Sequence, residues 1–314
     1  MAKICIVLAT YNGEKYLSQM LDSLVAQTRP ADMIIAVDDG SKDSSAQILE
    51  SYAQKLPLQI HVSPQNQGHR AAFSKALEIA RTNLGPDDLI ALADQDDIWL
   101  PHKLSILENE IDAVHSLIFG DAQVIDGEGK IIAESWRTKS NINLNTTIKH
   151  QIAGINHVTG CLCMFKAKLL YTILPIPEGV TVHDRWIAMI AERNGGIKAI
   201  PERVVQYRIH GANAVGGKSS SSMSNTLKLQ EIWATTILEN LTLLKLTDSE
   251  ISFTQRLLSI TKQRMNQNLV LDEIFWIFMN RKYLFLEAPQ LTTAKRILFS
   301  VVGLPLAKKL WGKE

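Results

Sequence analysis

The chain is poor in cysteine, in long apolar runs and in net charge, and each shortage narrows what it can be. Its 314 residues include only 3 cysteines, an odd and low count that argues against a disulfide framework and fits a reducing compartment. No stretch of the sequence approaches the roughly 20 apolar residues that a membrane-spanning helix needs. The formal net charge is +1, so overall charge gives no reason to expect nucleic-acid binding.

The remaining composition is that of a folded globular protein. Hydrophobic residues make up 46% of the chain and charged residues 21%, and a chain of this length predicts a main domain with an extension. The start, Met1–Thr10, has one lysine and an apolar run too short for a signal peptide. We therefore interpret it as the first strand of the fold and expect a cytoplasmic location.

The first half of the chain alternates apolar runs with amphipathic segments. Segments such as Glu14–Gln27 have helical spacing, and another helix is expected to begin at Pro101. This order predicts a mostly parallel sheet with helices on both faces. The apolar runs typical of buried strands are 3–9, 33–37, 58–62 and 89–93.

The pattern changes near Leu117. Ile118–Ile125 and Lys130–Ala133 flank an Asp-Gly turn and predict a hairpin. The Gly- and Ser-rich segment 211–224 is equally typical of a mobile lid and of a linker. From about Leu227 the sequence is mainly helical in pattern.

Two acidic clusters each follow a predicted buried strand. They are Asp38–Ser41 and Asp94–Asp97. Open α/β sheets bind ligands at the carboxyl ends of their strands, so both clusters are expected on one rim of the sheet. Carboxylates there must be solvated, paired or bound to a cation. A nucleotide-sugar with a divalent metal would use both clusters.

The clusters belong to a series of motifs that occurs in a recognisable order. Ala9–Gly13, Val37–Asp43, Asn66–Gly68 and Asp94–Pro101 resemble family 2 of the inverting glycosyltransferases. The residue sequence of the last motif, Asp94–Pro101, is most similar to that of bacterial rhamnosyltransferase-like members. The resemblance covers roughly residues 1–215.

This resemblance implies a fold and a reaction. The fold is a GT-A-type α/β catalytic domain over residues 1–215, which leaves 216–314 as a helical extension that contacts a membrane or another subunit. The reaction is an inverting, metal-dependent hexosyl transfer from dTDP-rhamnose or a UDP-sugar to a hydroxyl of a glycan acceptor. The implied setting is bacterial surface polysaccharide synthesis on a lipid-linked acceptor.

The second cluster is the expected metal site. A departing diphosphate accumulates negative charge, which Mn²⁺ or Mg²⁺ can neutralise while held by one or two carboxylates. By the resemblance, Asp96 holds the metal and Asp94 contacts the ribose or assists. His210 is assigned to the metal or the diphosphate, and Arg208 to a phosphate. The alternatives are an acidic turn that caps a helix, and polar surface residues at a strand end.

The first cluster is the expected nucleotide site. A carboxylate that faces a pyrimidine can accept the N3–H of uracil or thymine. The resemblance gives this role to Asp39, with Thr10 and Tyr11 beside it. Asn66 and Gly68 belong to a third loop on the same rim, where glycine permits close backbone approach. Local hydrogen bonding within a turn is the alternative for Asp39.

An acceptor hydroxyl is a poor nucleophile without a base. The resemblance assigns the base to Asp184, which the dipole of a following helix is expected to keep ionised at neutral pH. An ordinary helix N-cap is an equally good interpretation of this residue. His183, Arg185 and Trp186 are the candidates for acceptor contact, although the family often has an aromatic residue where this chain has Arg185.

Two further segments allow more than one interpretation. Strand alternation would place Cys161 and Cys163 on one face, but without further spaced ligands we interpret them as buried free thiols rather than a metal pair. The segment Lys295–Lys313 has an apolar centre between basic flanks and is too short to span a bilayer. It favours a helix in a membrane interface, with packing on the catalytic domain or another subunit as the alternative.

Two other functions compete with glycosyl transfer. A sugar nucleotidyltransferase would need a Gly-rich, basic loop after the first strand to hold a triphosphate, whereas this chain has Thr10–Glu14 there. A catalytically silent subunit would bind a nucleotide-sugar without turnover. The presence of Asp96 and Asp184 argues against it.

Overall fold

The computed structural model describes residues 2–211, 222–285 and 290–311. These residues form two compact units, and the chain passes between them more than once. The segments are Met1–Ile142, Val158–Ile176 and Val182–Gly217 for the first unit, and Asn143–His157, Pro177–Thr181 and Lys218–Glu314 for the second.

A sheet of nine strands forms the centre of the first unit. The strand order is β3-β2-β1-β4-β8-β6-β9-β5, with β7 paired to β6 off this path. The strands are β1 (Ile4–Thr10), β2 (Met33–Asp38), β3 (Leu58–Val62), β4 (Leu89–Asp94), β5 (Ile98–Trp99), β6 (Leu117–Ile125), β7 (Ile131–Ala133), β8 (Cys163–Lys166) and β9 (Ile197–Arg208).

Parallel pairing dominates the half of the sheet built from the N-terminal sequence. Strands β3, β2, β1 and β4 are parallel neighbours. Strand β8 runs antiparallel between β4 and β6, and β6 pairs in parallel with β9. The predicted mostly parallel α/β fold is therefore confirmed, as is the hairpin of β6 and β7.

The helices are numbered in chain order across both units. Short 3-10 helices occur at Gly160–Leu162, Ala167–Leu169 and Leu271–Glu273. The α-helices of the described residues are α1 (Glu14–Val25), α2 (Ser45–Tyr52), α3 (His69–Asn83), α4 (Lys103–Glu110), α5 (Trp136–Lys139), α6 (Ile148–Ile152), α7 (Leu170–Ile173), α8 (His183–Arg193), α9 (Met223–Glu239), α10 (Asp248–Asn266), α11 (Ile274–Met279), α12 (Arg281–Leu284), α13 (Gln290–Val301) and α14 (Leu304–Trp311).

Helix α1 shows why the sequence forms these layers. Its apolar residues recur at the spacing of one helical face, and Leu17, Met20 and Leu21 are fully buried in the same core cluster as Ile6 and Leu8 of β1. Burial of one such side chain contributes about 1.5–3 kcal/mol. The helix is therefore held against the sheet by its own sequence pattern.

Two local expectations are wrong. The helix expected from Pro101 begins at Lys103, because Pro101 and His102 lie in a turn after β5. Cys161 lies in a 3-10 turn and only Cys163 lies in β8, so the thiols do not share one strand face. Both cysteines are buried and free, as predicted.

The second unit is helical. Ile260, Val270, Ile277 and Val301 form a small buried cluster of its own, and the indole N–H of Trp233 donates to the carbonyl of Gln151 at 3.0 Å. None of the described helices is long and apolar enough to cross a membrane. Most of the Gly- and Ser-rich segment, 212–221, lies outside the described residues.

Candidate active site

The two acidic clusters lie at adjacent strand ends. Thr10 of β1 is in register with Asp38 of β2, and Ala9 is in register with Asp94 of β4. Both clusters therefore occupy one rim of the sheet, which confirms their predicted common position.

Asp38 fixes the turn that follows β2. Its carboxylate accepts hydrogen bonds from the Thr10 hydroxyl at 2.8 Å, the Ser41 hydroxyl at 2.6 Å and the Ser41 backbone N–H at 2.9 Å. Asp38 and Thr10 are buried. The Thr10 hydroxyl is therefore used to hold the β1 and β2 ends together.

Asp39 joins the β2 turn to the loop before α3. Its carboxylate accepts the backbone N–H of Gln67 at 3.0 Å and that of Gly68 at 2.7 Å. Gly40 makes this approach possible, because it has φ of +74° and a Cβ there would lie 2.9 Å from the Gln65 carbonyl carbon. Asp39, Asn66 and Gly68 are thus brought together, with Asn66 exposed.

Gln95 connects the loop after β1 to the second acidic cluster. Its Oε1 accepts from the Tyr11 N–H at 2.8 Å, and its Nε2 donates to the Tyr11 carbonyl at 3.0 Å. The Tyr11 ring stays 42% exposed beside this link. Sequence reasoning assigned no role to Gln95, although its place inside an acidic motif was a signal.

The side chains of Asp96 and His210 are in direct contact on the rim. Asp96 Oδ2 and His210 Nε2 are 2.8 Å apart, and both side chains are partly accessible. The His210 ring lies 4.9 Å from that of Tyr16, centroid to centroid. An oxygen and an imidazole nitrogen so placed fit a divalent cation such as Mn²⁺.

The other two carboxylates of the cluster differ in exposure, since Asp94 is partly exposed and Asp97 is buried. Burial, then the charges of Asp96 and Asp184, raises the pKa of Asp94 to about 7. Burial also raises the pKa of Asp97 well above its ordinary value. Ligand atoms of Asp94, Asp97 and Cys161 all lie within 4.8 Å of one another. Burial therefore disfavours the ionised form of these two carboxylates, and a positive charge beside them would offset that penalty.

Arg208 supports the cluster from below. Its side chain is 2% exposed, so the interpretation as a polar surface residue is wrong. The guanidinium donates to the carbonyl oxygens of Asp96 at 2.7 Å and Asp126 at 3.2 Å, and to Gln19 Oε1 at 2.7 Å. These bonds hold the Asp96 loop, and the phosphate role of Arg208 stays a prediction.

Asp184 lies in the first turn of α8. Its Oδ2 accepts the Gly160 N–H at 3.1 Å. Burial raises the pKa of Asp184 to about 6, opposite to the direction expected from the helix dipole, yet the carboxylate is still mostly ionised at neutral pH. Its charge acts on Asp94, so these two carboxylates are close enough to interact.

The neighbours of Asp184 differ in accessibility. His183 is 6% exposed and stacks on Phe73 with ring centroids 3.8 Å apart, and its two ring nitrogens have no hydrogen-bond partner among the described residues. Arg185 is partly exposed. Trp186 is fully buried and its indole N–H donates to the Ile173 carbonyl at 3.0 Å. Trp186 is therefore not available to an acceptor, and His183 and Arg185 remain the candidates for acceptor contact.

The fold and rim define a GT-A-like nucleotide-sugar transferase. The family model for glycosyl transferase family 2 matches residues 5–174, and the chain belongs to this family. An uncharacterized glycosyltransferase from Nostoc sp. is 28% identical over 245 residues, covering 73% of this chain and 71% of that protein. Some relatives are much longer, and the chain spans 31% of one from Rickettsia felis.

Solved structures share the fold at low identity. Residues 1–349 of S. aureus TarS in complex with UDP-GlcNAc superpose with a TM-score of 0.59 at 18% identity, covering 95% of this chain and 81% of that one. A mannosyltransferase from Pyrobaculum calidifontis in complex with GDP-Man and Mn²⁺ gives 0.54 at 17% identity, covering 99% and 88%. These likenesses concern the fold.

Proposed function

We propose that this family 2 enzyme is an inverting, metal-dependent glycosyltransferase with a pyrimidine nucleotide-sugar donor. The observation that carries the proposal is the placement of Asp96 and His210, 2.8 Å apart, on the same rim as Asp94 and Asp184, whose charges interact. Asp96 and His210 would hold the metal next to the donor diphosphate, and Asp184 would face the acceptor hydroxyl.

The residues for leaving-group stabilisation are Asp96 and His210. A divalent ion held there supplies the positive charge that a departing diphosphate requires. Asp94, partly exposed at the same rim, is the proposed acceptor of a hydrogen bond from the donor ribose. The Mn²⁺ of the Pyrobaculum enzyme's complex makes Mn²⁺ the first ion to test, with Mg²⁺ second.

Asp184 is the proposed base. It accepts the proton of the acceptor hydroxyl as that oxygen attacks the anomeric carbon from the face opposite the nucleotide, which inverts the configuration. A base whose pKa lies near the operating pH is efficient at this task, and burial brings the pKa of Asp184 to about 6. His183 and Arg185 are the proposed acceptor contacts.

Asp39 and Tyr11 are the proposed nucleoside wall, and Thr10 holds the strand ends behind them through its hydrogen bond to Asp38. The Asp39 carboxylate already orders the loop of Gln67 and Gly68 and retains lone pairs for the N3–H of uracil or thymine. The expected donor is a UDP-sugar or dTDP-rhamnose. The UDP-GlcNAc of the TarS complex belongs to that protein and makes UDP-GlcNAc one donor to assay.

The deciding experiment is a thermal-shift panel with UDP, dTDP, GDP and CDP, each with and without Mn²⁺. A ligand that binds the folded state raises Tm by mass action. A Mn²⁺-dependent rise with UDP or dTDP supports the proposal. A preference for GDP or CDP contradicts the role of Asp39. An increase in Tm that is the same with and without Mn²⁺ contradicts the metal role of Asp96.

The proposed acceptor is a lipid-linked glycan of a bacterial surface polysaccharide, reached by peripheral contact with the cytoplasmic face of the membrane. Support comes from the exposed apolar side chains Phe275 and Phe299 of the second unit, and from the exposed cations Arg281, Lys282 and Lys309. Such a combination suits an anionic membrane interface.

Vesicle co-sedimentation tests this contact. The protein is expected to pellet with vesicles that contain anionic lipid and to stay in solution with zwitterionic ones. The double variant Phe275→Ser/Phe299→Ser is expected to lose the binding, whereas Val114→Ser, at an exposed apolar residue of the first unit, keeps it. Equal sedimentation of wild type and double variant contradicts the contact.

A further inference from the structure

The ring of Tyr16 contacts two residues at the rim. Tyr16 belongs to the first turn of α1 and is partly buried. The centroid of its ring lies 4.9 Å from that of the His210 ring, with the two planes inclined by 42°, and 4.6 Å from the guanidinium carbon of Arg208. Tyr16 therefore touches a proposed metal ligand and the arginine that holds the Asp96 loop.

The turn of the β6–β7 hairpin closes on the hydroxyl end of the same ring. A Cβ on Gly127 would lie 3.2 Å from the Tyr16 hydroxyl oxygen and 3.8 Å from His210 Cβ, so a side chain there would press on the hydroxyl. Arg208 Nη1 donates to the carbonyl oxygens of Asp126 at 3.2 Å and Gly127 at 3.3 Å, which holds the turn in place. The Tyr16 ring is thus confined by its own helix, by Arg208 and by the hairpin turn.

A confined ring restricts the imidazole beside it. His210 lies just after β9, and its side chain is 16% exposed. Aromatic rings in contact attract each other beyond the burial of their surfaces, which favours the rotamer of His210 that touches Tyr16. In this rotamer His210 Nε2 lies 2.8 Å from Asp96 Oδ2. The contact with Tyr16 and the approach of the two proposed ligand atoms therefore occur in the same conformation.

We propose that Tyr16 is a positioning residue that holds the His210 imidazole in the rotamer that ligates the divalent ion. A side chain already held in its binding rotamer saves the entropy cost of ordering it. The apparent affinity of a ligand is reduced when the competent conformation is only partly populated. The inference rests on the proposed metal role of Asp96 and His210, and it adds a residue that lies outside the motifs of the sequence.

Mn²⁺ binding to the full-length protein tests the inference without turnover, because the EPR signal of the free ion falls as the ion binds. Tyr16→Leu removes the ring and is expected to raise the Kd for Mn²⁺ about two- to tenfold, the range that corresponds to one aromatic pair. Tyr16→Phe keeps the ring and is expected to keep the wild-type Kd. Tyr171→Leu, the same substitution at an exposed tyrosine of α7, is the matched control and should leave the Kd unchanged.

The double variant Tyr16→Leu/His210→Ala shows whether Tyr16 acts through His210. His210→Ala alone is expected to raise the Kd for Mn²⁺ about tenfold or more. Adding Tyr16→Leu to it is expected to raise the Kd no further, because two changes that act through one contact are not additive. A further increase in the double variant would mean that Tyr16 acts through Arg208 and the Asp96 loop, and it would overturn the inference.

Two other results would contradict the inference. If His210→Ala weakens Mn²⁺ binding and folded Tyr16→Leu does not, the metal role of His210 stands and the positioning role of Tyr16 is wrong. If His210→Ala has no effect, or wild type binds no Mn²⁺, the proposed metal role of His210 fails and the inference fails with it. If Tyr16→Leu does not fold, Tyr16→Met carries the same expectation, since an unbranched side chain adapts to irregular gaps.

Discussion

The side chain of Gln95 pairs with the backbone of Tyr11 in both directions, as a neighbouring strand would. Gln95 Oε1 accepts the Tyr11 N–H at 2.8 Å and Nε2 donates to the Tyr11 carbonyl at 3.0 Å. This pairing ties Tyr11 of the proposed nucleoside wall to the loop that carries Asp96, the proposed metal ligand. A donor that contacts both Tyr11 and Asp96 would therefore meet two ordered loops, which lowers the entropy cost of binding.

Removal of this pairing is expected to weaken donor binding. Each hydrogen bond contributes about 0.5–1.5 kcal/mol, and 1.4 kcal/mol corresponds to about tenfold in affinity. Gln95→Ala should therefore raise the donor KM about tenfold or more, with a smaller effect on kcat. Steady-state kinetics with Gln54→Ala, at an exposed position, provides the comparison. An unchanged KM would show that Tyr11 is ordered by other contacts.

Asp184→Asn is expected to remove turnover while preserving donor binding. General-base catalysis typically contributes about 10²–10⁴-fold, so kcat should fall by that factor while the thermal shift with donor nucleotide remains. Asp87→Asn, which changes an exposed carboxylate in the same way, should keep kcat. If Asp184→Asn keeps most of its activity, another group takes the proton.

The pH profile of the wild type follows from the same carboxylate. Burial raises the pKa of Asp184 to about 6, and a base acts only when deprotonated. Activity should therefore rise with pH through the region of 6 and be lost below it. The acidic limb of kcat/KM against pH measures this directly. A limb centred near the ordinary carboxyl value of 3.8 would mean that Asp184 is not the titrating base.

Metal dependence should follow Asp96 and His210 together. Chelation is expected to abolish activity and Mn²⁺ to restore it, because the cation neutralises the negative charge that the departing diphosphate accumulates. Asp96→Asn and His210→Ala should each raise the Mn²⁺ concentration for half-maximal activity about tenfold or more, since losing one ligand weakens the site by at least about 1.4 kcal/mol. His102→Ala, at an exposed histidine, is the control. Normal activation of His210→Ala would remove His210 from the site.

The fold was predictable because its signals are local. Apolar runs such as 33–37 and 89–93 match β2 and β4 to within one residue, and an acidic motif after each strand indicates the rim. Exceptions came from turn geometry. A proline at 101 is compatible with a first helical turn, yet the helix begins at Lys103 because the chain first completes a turn after β5.

The contacts of the supporting residues were not predictable from the local sequence. Their partners are 58 to 189 positions away in sequence. Gln95 contacts Tyr11, Lys103 contacts Cys161, and Arg208 contacts Gln19. The local pattern does not distinguish a buried lysine or arginine from a solvated one. Lys103 begins a helix and Arg208 ends a strand, and charged residues are common at such positions. Tertiary contacts alone decide their burial.

Arg208 offers the clearest test of that distinction. Arg208→Met keeps much of the side-chain volume but leaves the part-buried carbonyl oxygens of Asp96 and Asp126 without their donor. Hydrogen bonds to a charged group contribute about 1.5–3 kcal/mol each. The free energy of unfolding, measured with urea, should fall by about 3 kcal/mol or more.

Arg203→Gln is the matched comparison for Arg208→Met. It removes an exposed arginine that pairs with the exposed Glu134 at 2.7 Å, and an exposed pair contributes about 0–1 kcal/mol. Its free energy of unfolding should stay within that range. Arg208→Lys should resemble Arg208→Met, because a lysine cannot reproduce the planar fork of donors. A loss in Arg208→Met no larger than in Arg203→Gln would mean that the Asp96 loop keeps its position without the guanidinium, and the rim geometry would then depend on Gln95.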